Sequence, residues 1–142
     1  MAMLDADFYA WTQNTAAALR TGNYSQVDML AVAEELENMG ASERRALINR
    51  LAVLLTHLLK WQFQPGIRSR SWELTLIEQR REIQDLLEDN PSLRPQLTQR
   101  LSKAYGKALL KAEKETQLPA QTFPASCPYA MDDILREDYY PE

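Results

Sequence analysis

Apolar side chains recur every three or four residues along most of the chain, which is the spacing of one face of an α-helix. No run of alternating β-branched residues competes with this pattern. The predicted helices cover residues 5–21, 28–39, 43–64, 69–89 (or 71–89) and 93–117. We therefore expect an all-α protein, an antiparallel helical bundle of four to five helices.

Glycine and proline separate the predicted helices. Gly22 is expected to end the first helix, Gly40 to mark a break or kink after the second, and Pro65 with Gly66 to end the third. The apolar face of the first helix comprises Leu4, Phe8, Trp11, Thr15, Ala18 and Leu19. That of the second comprises Met29, Val32, Ala33, Leu36 and Met39. The third helix has a wider apolar stripe, which is typical of a central helix that touches more than one neighbour.

The last 24 residues, 119–142, differ in character because four prolines interrupt them. A short helix is expected near residues 131–137, with aromatic and aliphatic anchors on either side. We expect this segment to be a tail that wraps the bundle. The whole chain, 1–142, is then expected to form a single helical domain with 119–142 as its packed tail.

Composition supports an ordinary globular protein. The chain has 142 residues, of which 45% are apolar and 25% charged, with a net charge of −4. Residues 1–42 carry six acidic residues and one basic residue, whereas 43–81 carry three acidic and eight basic residues. The acidic amino terminus does not resemble a signal peptide, and no apolar run is long enough to span a membrane. We therefore expect a soluble, cytoplasmic protein without membrane contact.

Several strings of the sequence are characteristic when taken in order. In the first half they are Asp7-Phe8-Tyr9-Ala10-Trp11, Glu34-Glu35-Leu36-Glu37, Met39-Gly40, Ser42-Glu43-Arg44-Arg45 and His57-Leu58-Leu59-Lys60-Trp61-Gln62. They continue with Gln64-Pro65, Arg68-Ser69-Arg70-Ser71-Trp72, Gln79-Arg80, Pro91-Ser92-Leu93 and Cys127-Pro128-Tyr129. The chain resembles a small bacterial family, the one numbered twenty-nine among the domains of unknown function. The resemblance implies an all-helical fold and carries no assigned activity or catalytic residue.

Two polar residues fall on the apolar side of the fourth predicted helix. A helical projection places Gln79 and Arg80 within the arc of its apolar residues. Because an uncompensated buried charge is very costly, Arg80 is expected to meet a carboxylate, main-chain carbonyls or a ligand anion. Glu35 and Glu37 are candidate partners, since they border the apolar stripe of the second helix. Two alternatives stay open: an internal ion pair or a snorkelling side chain, and a functional anion or partner site.

The chain has one histidine and one cysteine. His57 lies at the edge of the third helix, one turn before Trp61, where a boundary residue is the simplest interpretation. With Glu34, Glu35 or Glu37 it could instead form a carboxylate-rich metal site, or act as a general acid or base. No Glu-x-x-His unit is present, so no metal and no cofactor is expected. Cys127 is interpreted as a packed tail residue.

Positive charge and aromatic surface coincide at one predicted turn. The residues of this candidate partner or anion corner are Lys60, Arg68, Arg70 and Trp72, with Trp61 beside them. Such a composition can hold phosphates and stack a base, or it can join two helices and meet acidic neighbours. An acidic pI of 5.1 argues against broad binding of nucleic acid.

Two functional hypotheses follow. The first is a non-enzymatic protein-interaction module that meets an unidentified protein partner, a second copy of the chain being one such partner. The second is a small enzyme or nucleic-acid-associated factor with a pocket of glutamate, His57 and Arg80. The first is favoured because the motifs supply neither a nucleophile–base pair nor a complete ligand set.

Overall fold

A computed structural model describes residues 6–142 and contains α-helices and short 3₁₀ turns, with no strand among those residues. The helices are α1 (Phe8–Arg20), α2 (Met29–Phe63), α3 (Arg70–Asp89), α4 (Arg94–Thr116) and α5 (Met131–Leu135). The expected all-α fold is confirmed. Leu4 and Asp5, which the sequence analysis assigned to the first helix, lie outside the described residues.

The chain divides into two compact units, Met1–Ser42 and Glu43–Glu142. The expectation that residues 1–142 form a single domain stays a prediction. In the first unit, α1 begins at Phe8 because the Asp7 carboxylate accepts a hydrogen bond from the Ala10 amide at 3.0 Å. Gly22 follows α1 with a φ of +75°, the left-handed conformation that glycine adopts without strain.

The predicted break at Gly40 is wrong, because α2 runs without interruption from Met29 to Phe63. A single glycine in a helix costs only about 1 kcal/mol, and the strong helix-forming sequence on both sides outweighs it. The two segments that the sequence analysis treated as separate helices are one element of 35 residues.

The core of the second unit lies between the later part of α2, α3, α4 and the tail. Its central helix is α2, whose leucines at 51, 54, 55, 58 and 59 are at most 1% exposed. Alanines on α4 allow close packing, and Ser69 caps α3 by accepting a hydrogen bond from the Trp72 amide. This arrangement confirms the wide buried stripe expected of the central helix.

The tail packs onto this core through widely spaced anchors. Phe123, Tyr129 and Ile134 are buried, and the ring of Phe123 meets Phe63 edge to face at a centroid distance of 5.5 Å. The Tyr105 hydroxyl donates a hydrogen bond to the Pro124 carbonyl at 2.6 Å, and the Tyr129 hydroxyl donates one to Gln62 at 2.7 Å. The tail therefore wraps this unit, as predicted, while its helix is shorter than expected.

Candidate functional site

The first unit presents an apolar groove of about 520 Å³ between α1 and the beginning of α2. The residues that line it, named here the hairpin groove, are Phe8, Trp11, Thr12, Thr15, Ala16, Leu19, Val32, Glu35, Leu36 and Met39. Apart from two threonines and one glutamate, every lining side chain is apolar. The two helices thus form an open trough in which side chains of a ligand can be buried.

The groove exists because the apolar stripes of the two helices are wider than their shared contact. Trp11, Thr15 and Ala18 are buried, which accounts for one edge of the α1 stripe. The other edge is open: Phe8 is 52% exposed, and on α2 Leu36 is 61% and Met39 is 64% exposed. These apolar faces were predicted from the sequence, but the part of them that stays open was not, so the groove was missed.

Thr15 is a polar residue at the floor of the groove. It is 5% exposed, and its hydroxyl has no hydrogen-bond partner among the described residues. A hydroxyl buried in this way lowers stability, because it has lost its hydrogen bonds to water and has gained none within the protein. The rest of the groove offers few polar groups, which directs it toward apolar ligand surface.

Arg80 on α3 is buried, as the helical projection predicted, with 1% of its surface exposed. Its guanidinium donates hydrogen bonds to four main-chain carbonyls of the tail: those of Asp133, Ile134, Glu137 and Tyr139. The two shortest, to Ile134 and Tyr139, are 2.8 Å long. The sequence left open whether Arg80 meets a carboxylate, main-chain carbonyls or a ligand anion, and in the structure it meets main-chain carbonyls. Arg80 therefore fastens the tail to α3.

Arg68 makes a second attachment to the tail. Its Nε–H donates to the Trp61 carbonyl at 2.7 Å, and its Nη2 lies 3.5 Å from the Pro141 carbonyl oxygen. The guanidinium also lies 4.9 Å from the centre of the Trp61 ring, a cation–π distance, and Trp61 in turn packs against Tyr140. The structure thus brings Trp61 and Arg68 together, with Tyr140, which the sequence analysis did not assign to this corner.

The remaining corner residues also contact other protein groups. The Lys60 ammonium lies 5.0 Å from the Trp72 ring centre and 3.5 Å from a Glu115 carboxylate oxygen. Arg70 forms an exposed ion pair with Glu73, three residues further along α3. Each cation of the predicted anion corner is therefore engaged by an aromatic ring, a carboxylate or a carbonyl.

His57 is half-buried on α2, and its Nδ1 lies 2.9 Å from the Val53 carbonyl oxygen. Because a carbonyl only accepts, this nitrogen carries the proton in the neutral ring. Burial lowers the pKa of His57 below its usual 6.5, and the charges of Lys60 and Lys111 lower it further, while the Val53 carbonyl and Glu115 oppose this effect. The neutral imidazole is thus favoured.

The other predicted site residues are distributed over both units. Glu35 lines the hairpin groove, whereas Glu37 is exposed on α2. Gln79 is half-buried on α3, and its side-chain carbonyl oxygen has no hydrogen-bond partner among residues 6–142. A shared functional site for these residues with His57, Trp61 and Arg80 stays a prediction.

The free Cys127 thiol borders a cleft of about 360 Å³ beside α4. Burial raises the pKa of this thiol. Since the thiolate is the reactive form, the setting disfavours nucleophilic chemistry. In the described part of the chain, histidine, cysteine and acidic side chains do not gather in groups of three that could hold a metal ion. Likewise, none of the described helices combines the length and the apolar character needed to cross a bilayer.

The fold and the groove define this chain as an all-α protein with an apolar groove between two helices. Its residues 3–140 match the model of a family described as a domain of unknown function, DUF29, and the chain belongs to that family. The resemblance stated from the sequence is thereby confirmed. Neither a curated relative nor a solved structure matches the chain.

Proposed function

We propose that this chain is a non-enzymatic protein-interaction module and that the hairpin groove is its docking surface. The observation that carries the proposal is the exposed apolar lining of the groove, above all Leu36 and Met39. Exposed apolar surface in one contiguous trough typically marks a site where another molecule is bound. Two helices with an open seam suit the binding of a third helix, which would complete a three-helix arrangement.

The contacts that Arg80 and the corner residues already make within the protein support this proposal over a catalytic or phosphate-binding pocket. Arg80 uses its donors on tail carbonyls, and Arg68 is stacked on Trp61. A phosphate or an anionic substrate would have to displace these contacts before it could be bound. The partner in this proposal is a protein, and the cytoplasmic location expected from the sequence is part of the same proposal.

The test is affinity capture from native lysate with the full chain as bait, read by quantitative mass spectrometry. Leu36→Glu places a charge in the groove at a position that is already 61% exposed, so the fold is retained. Leu110→Glu is the matched control, because Leu110 is an exposed leucine on α4 outside the groove, with 71% of its surface exposed. We expect proteins captured by the wild type to be lost with Leu36→Glu and retained with Leu110→Glu. An identical set of captured proteins with all three baits would overturn the proposal.

A further inference from the structure

The first unit is acidic as well as apolar. Between residues 6 and 42 it has five acidic residues, Asp7, Asp28, Glu34, Glu35 and Glu37, and one basic residue, Arg20. One of these carboxylates belongs to the groove lining, and two others precede the helical segments that line it. Glu35 lines its wall, Asp7 precedes Phe8 at the start of α1, and Asp28 caps the start of α2 by accepting from the Ala31 amide at 3.1 Å.

This charge distribution selects among the possible occupants. A second copy of the chain that used the same groove would bring two acidic surfaces together, and like charges at an interface are unfavourable. An anionic lipid surface would be repelled for the same reason. A ligand with apolar side chains on one face and basic side chains at its edges satisfies both properties of the groove.

The length of the groove defines the size of this ligand. Phe8 and Leu19 lie eleven residues apart on α1, a distance of about 16 Å along a helix axis. A helix of the same length has roughly three turns and presents apolar residues at positions i, i+3 or i+4, i+7 and i+11 to one side. Lysine or arginine residues beside that stripe would face the acidic edges.

We infer that the hairpin groove binds a basic amphipathic helix of about three turns that belongs to a different protein. This inference rests on the proposed function and names the chemical class of the partner. Burial of the apolar stripe supplies the affinity, and the acidic residues of the first unit supply selectivity for a basic helix. The Glu35 carboxylate is the charge closest to the bound helix, since it forms part of the groove wall.

The test uses two synthetic helical peptides of about four turns, roughly 14 residues each. Both carry leucines at helical spacing; one has lysine at its remaining charged positions and the other has glutamate there. Fluorescence anisotropy with the full chain measures the Kd of each. We expect the lysine peptide to bind at least about tenfold more tightly and to weaken as salt rises, because the selectivity is electrostatic.

Three variants separate the contributions to this binding. Leu36→Glu is expected to raise the Kd of the lysine peptide about tenfold or more, and Leu110→Glu to leave it within about twofold. Glu35→Gln keeps the shape of the side chain and is expected to raise the Kd severalfold. Circular dichroism confirms that each variant retains its helices.

Equal affinity for the two peptides, or equal loss with Leu36→Glu and Leu110→Glu, would overturn the inference. Dimerisation of the chain that Leu36→Glu abolishes in analytical ultracentrifugation would also overturn it, since a second copy would then occupy the groove. In that case the proposed function stands, because the groove still binds a protein. If lysate capture is groove-dependent while the lysine peptide fails to bind, the partner class is wrong and the docking surface is retained.

Discussion

Arg80 donates a hydrogen bond of 2.8 Å to the main-chain carbonyl of Tyr139, 59 residues further along the chain. Together with the bonds to Asp133, Ile134 and Glu137, it fastens the tail to α3 through main-chain carbonyls, and the guanidinium also lies 5.9 Å from the centre of the Tyr140 ring. Hydrogen bonds from a charged donor to buried carbonyls are stronger than those between neutral groups. The positive charge of Arg80 is thus compensated by the dipoles of main-chain carbonyls and not by a carboxylate.

Replacement of Arg80 should therefore destabilise the fold. Arg80→Met retains much of the apolar packing but leaves the Ile134 and Tyr139 carbonyls without this donor, so we expect the free energy of unfolding to fall by about 3 kcal/mol. Urea denaturation followed by circular dichroism measures the change. Arg81→Met is the matched control, because Arg81 is exposed and forms its ion pair with the exposed Glu137. Its effect should stay within about 0.5 kcal/mol, and similar losses in both variants would contradict the role given to Arg80.

The continuity of α2 through Gly40 leads to a stabilising substitution. A Cβ atom at position 40 would meet no other atom within 4 Å, and alanine is the better helix former. Gly40→Ala should raise the free energy of unfolding by about 0.8 kcal/mol. Gly22→Ala should lower it by about 1 kcal/mol, because φ at Gly22 is +75°. Thermal and urea melts compare the two variants, and a loss of stability in Gly40→Ala would indicate that the helix is broken there.

The buried hydroxyl of Thr15 is expected to cost stability. Thr15→Val removes a polar group that has no partner while preserving the branched shape, so the free energy of unfolding should rise by about 1 kcal/mol. Thr56→Val serves as the control, since Thr56 is also buried but its hydroxyl donates to the Ala52 carbonyl at 2.7 Å. This second substitution should lower stability by about 1 kcal/mol. Urea melts that rank the two variants the other way would show that the Thr15 hydroxyl is satisfied in solution.

His57 is expected to make stability dependent on pH. Its pKa is lowered in the folded chain by burial, so between that value and about 6.5 the unfolded chain binds more protons than the folded chain. The contribution is fully present above about pH 6.5 and is lost as the pH falls toward the folded pKa. Urea melts between about pH 5 and pH 8 should show this decline in the wild type and a smaller one in His57→Gln.

The same pKa can be read directly by NMR, because His57 is the only histidine of the chain. Titration of its ring carbons should give a value below 6.5, and nitrogen shifts should show the proton on Nδ1 of the neutral ring. A titration midpoint above 6.5, or stability curves of wild type and His57→Gln that run parallel, would contradict the effect of burial.

Much of the fold was predictable from local pattern. The three- and four-residue spacing predicted α1, α3 and α4, and it predicted α2 as two separate helices. The same periodicity predicted the position of Arg80 on the apolar face of α3. Asp7 and Ser69 cap their helices through bonds to amides three residues away, which are local interactions. The break predicted at Gly40 was wrong because that prediction considered the glycine alone and left out the stability of the helix on both sides of it.

The candidate site was less predictable. Leu36 and Leu58 both belong to apolar stripes of α2, yet Leu36 is exposed and Leu58 is buried. Periodicity states which side of a helix is apolar, but it does not state how much of that side a neighbour covers. The groove could therefore not be predicted without the positions of α1 and the beginning of α2 in the folded chain.

The sequence by itself determined the helices, their apolar faces and the inward position of Arg80, because these follow from contacts between residues three or four apart. Only the tertiary structure decided that the partners of Arg80 are carbonyls of the tail and that the stripe of α1 stays partly uncovered. Every residue has a main-chain carbonyl, so the residue types of a sequence do not indicate which carbonyl accepts a hydrogen bond from a side chain. Which of them meets a given side chain depends on packing between segments more than fifty residues apart.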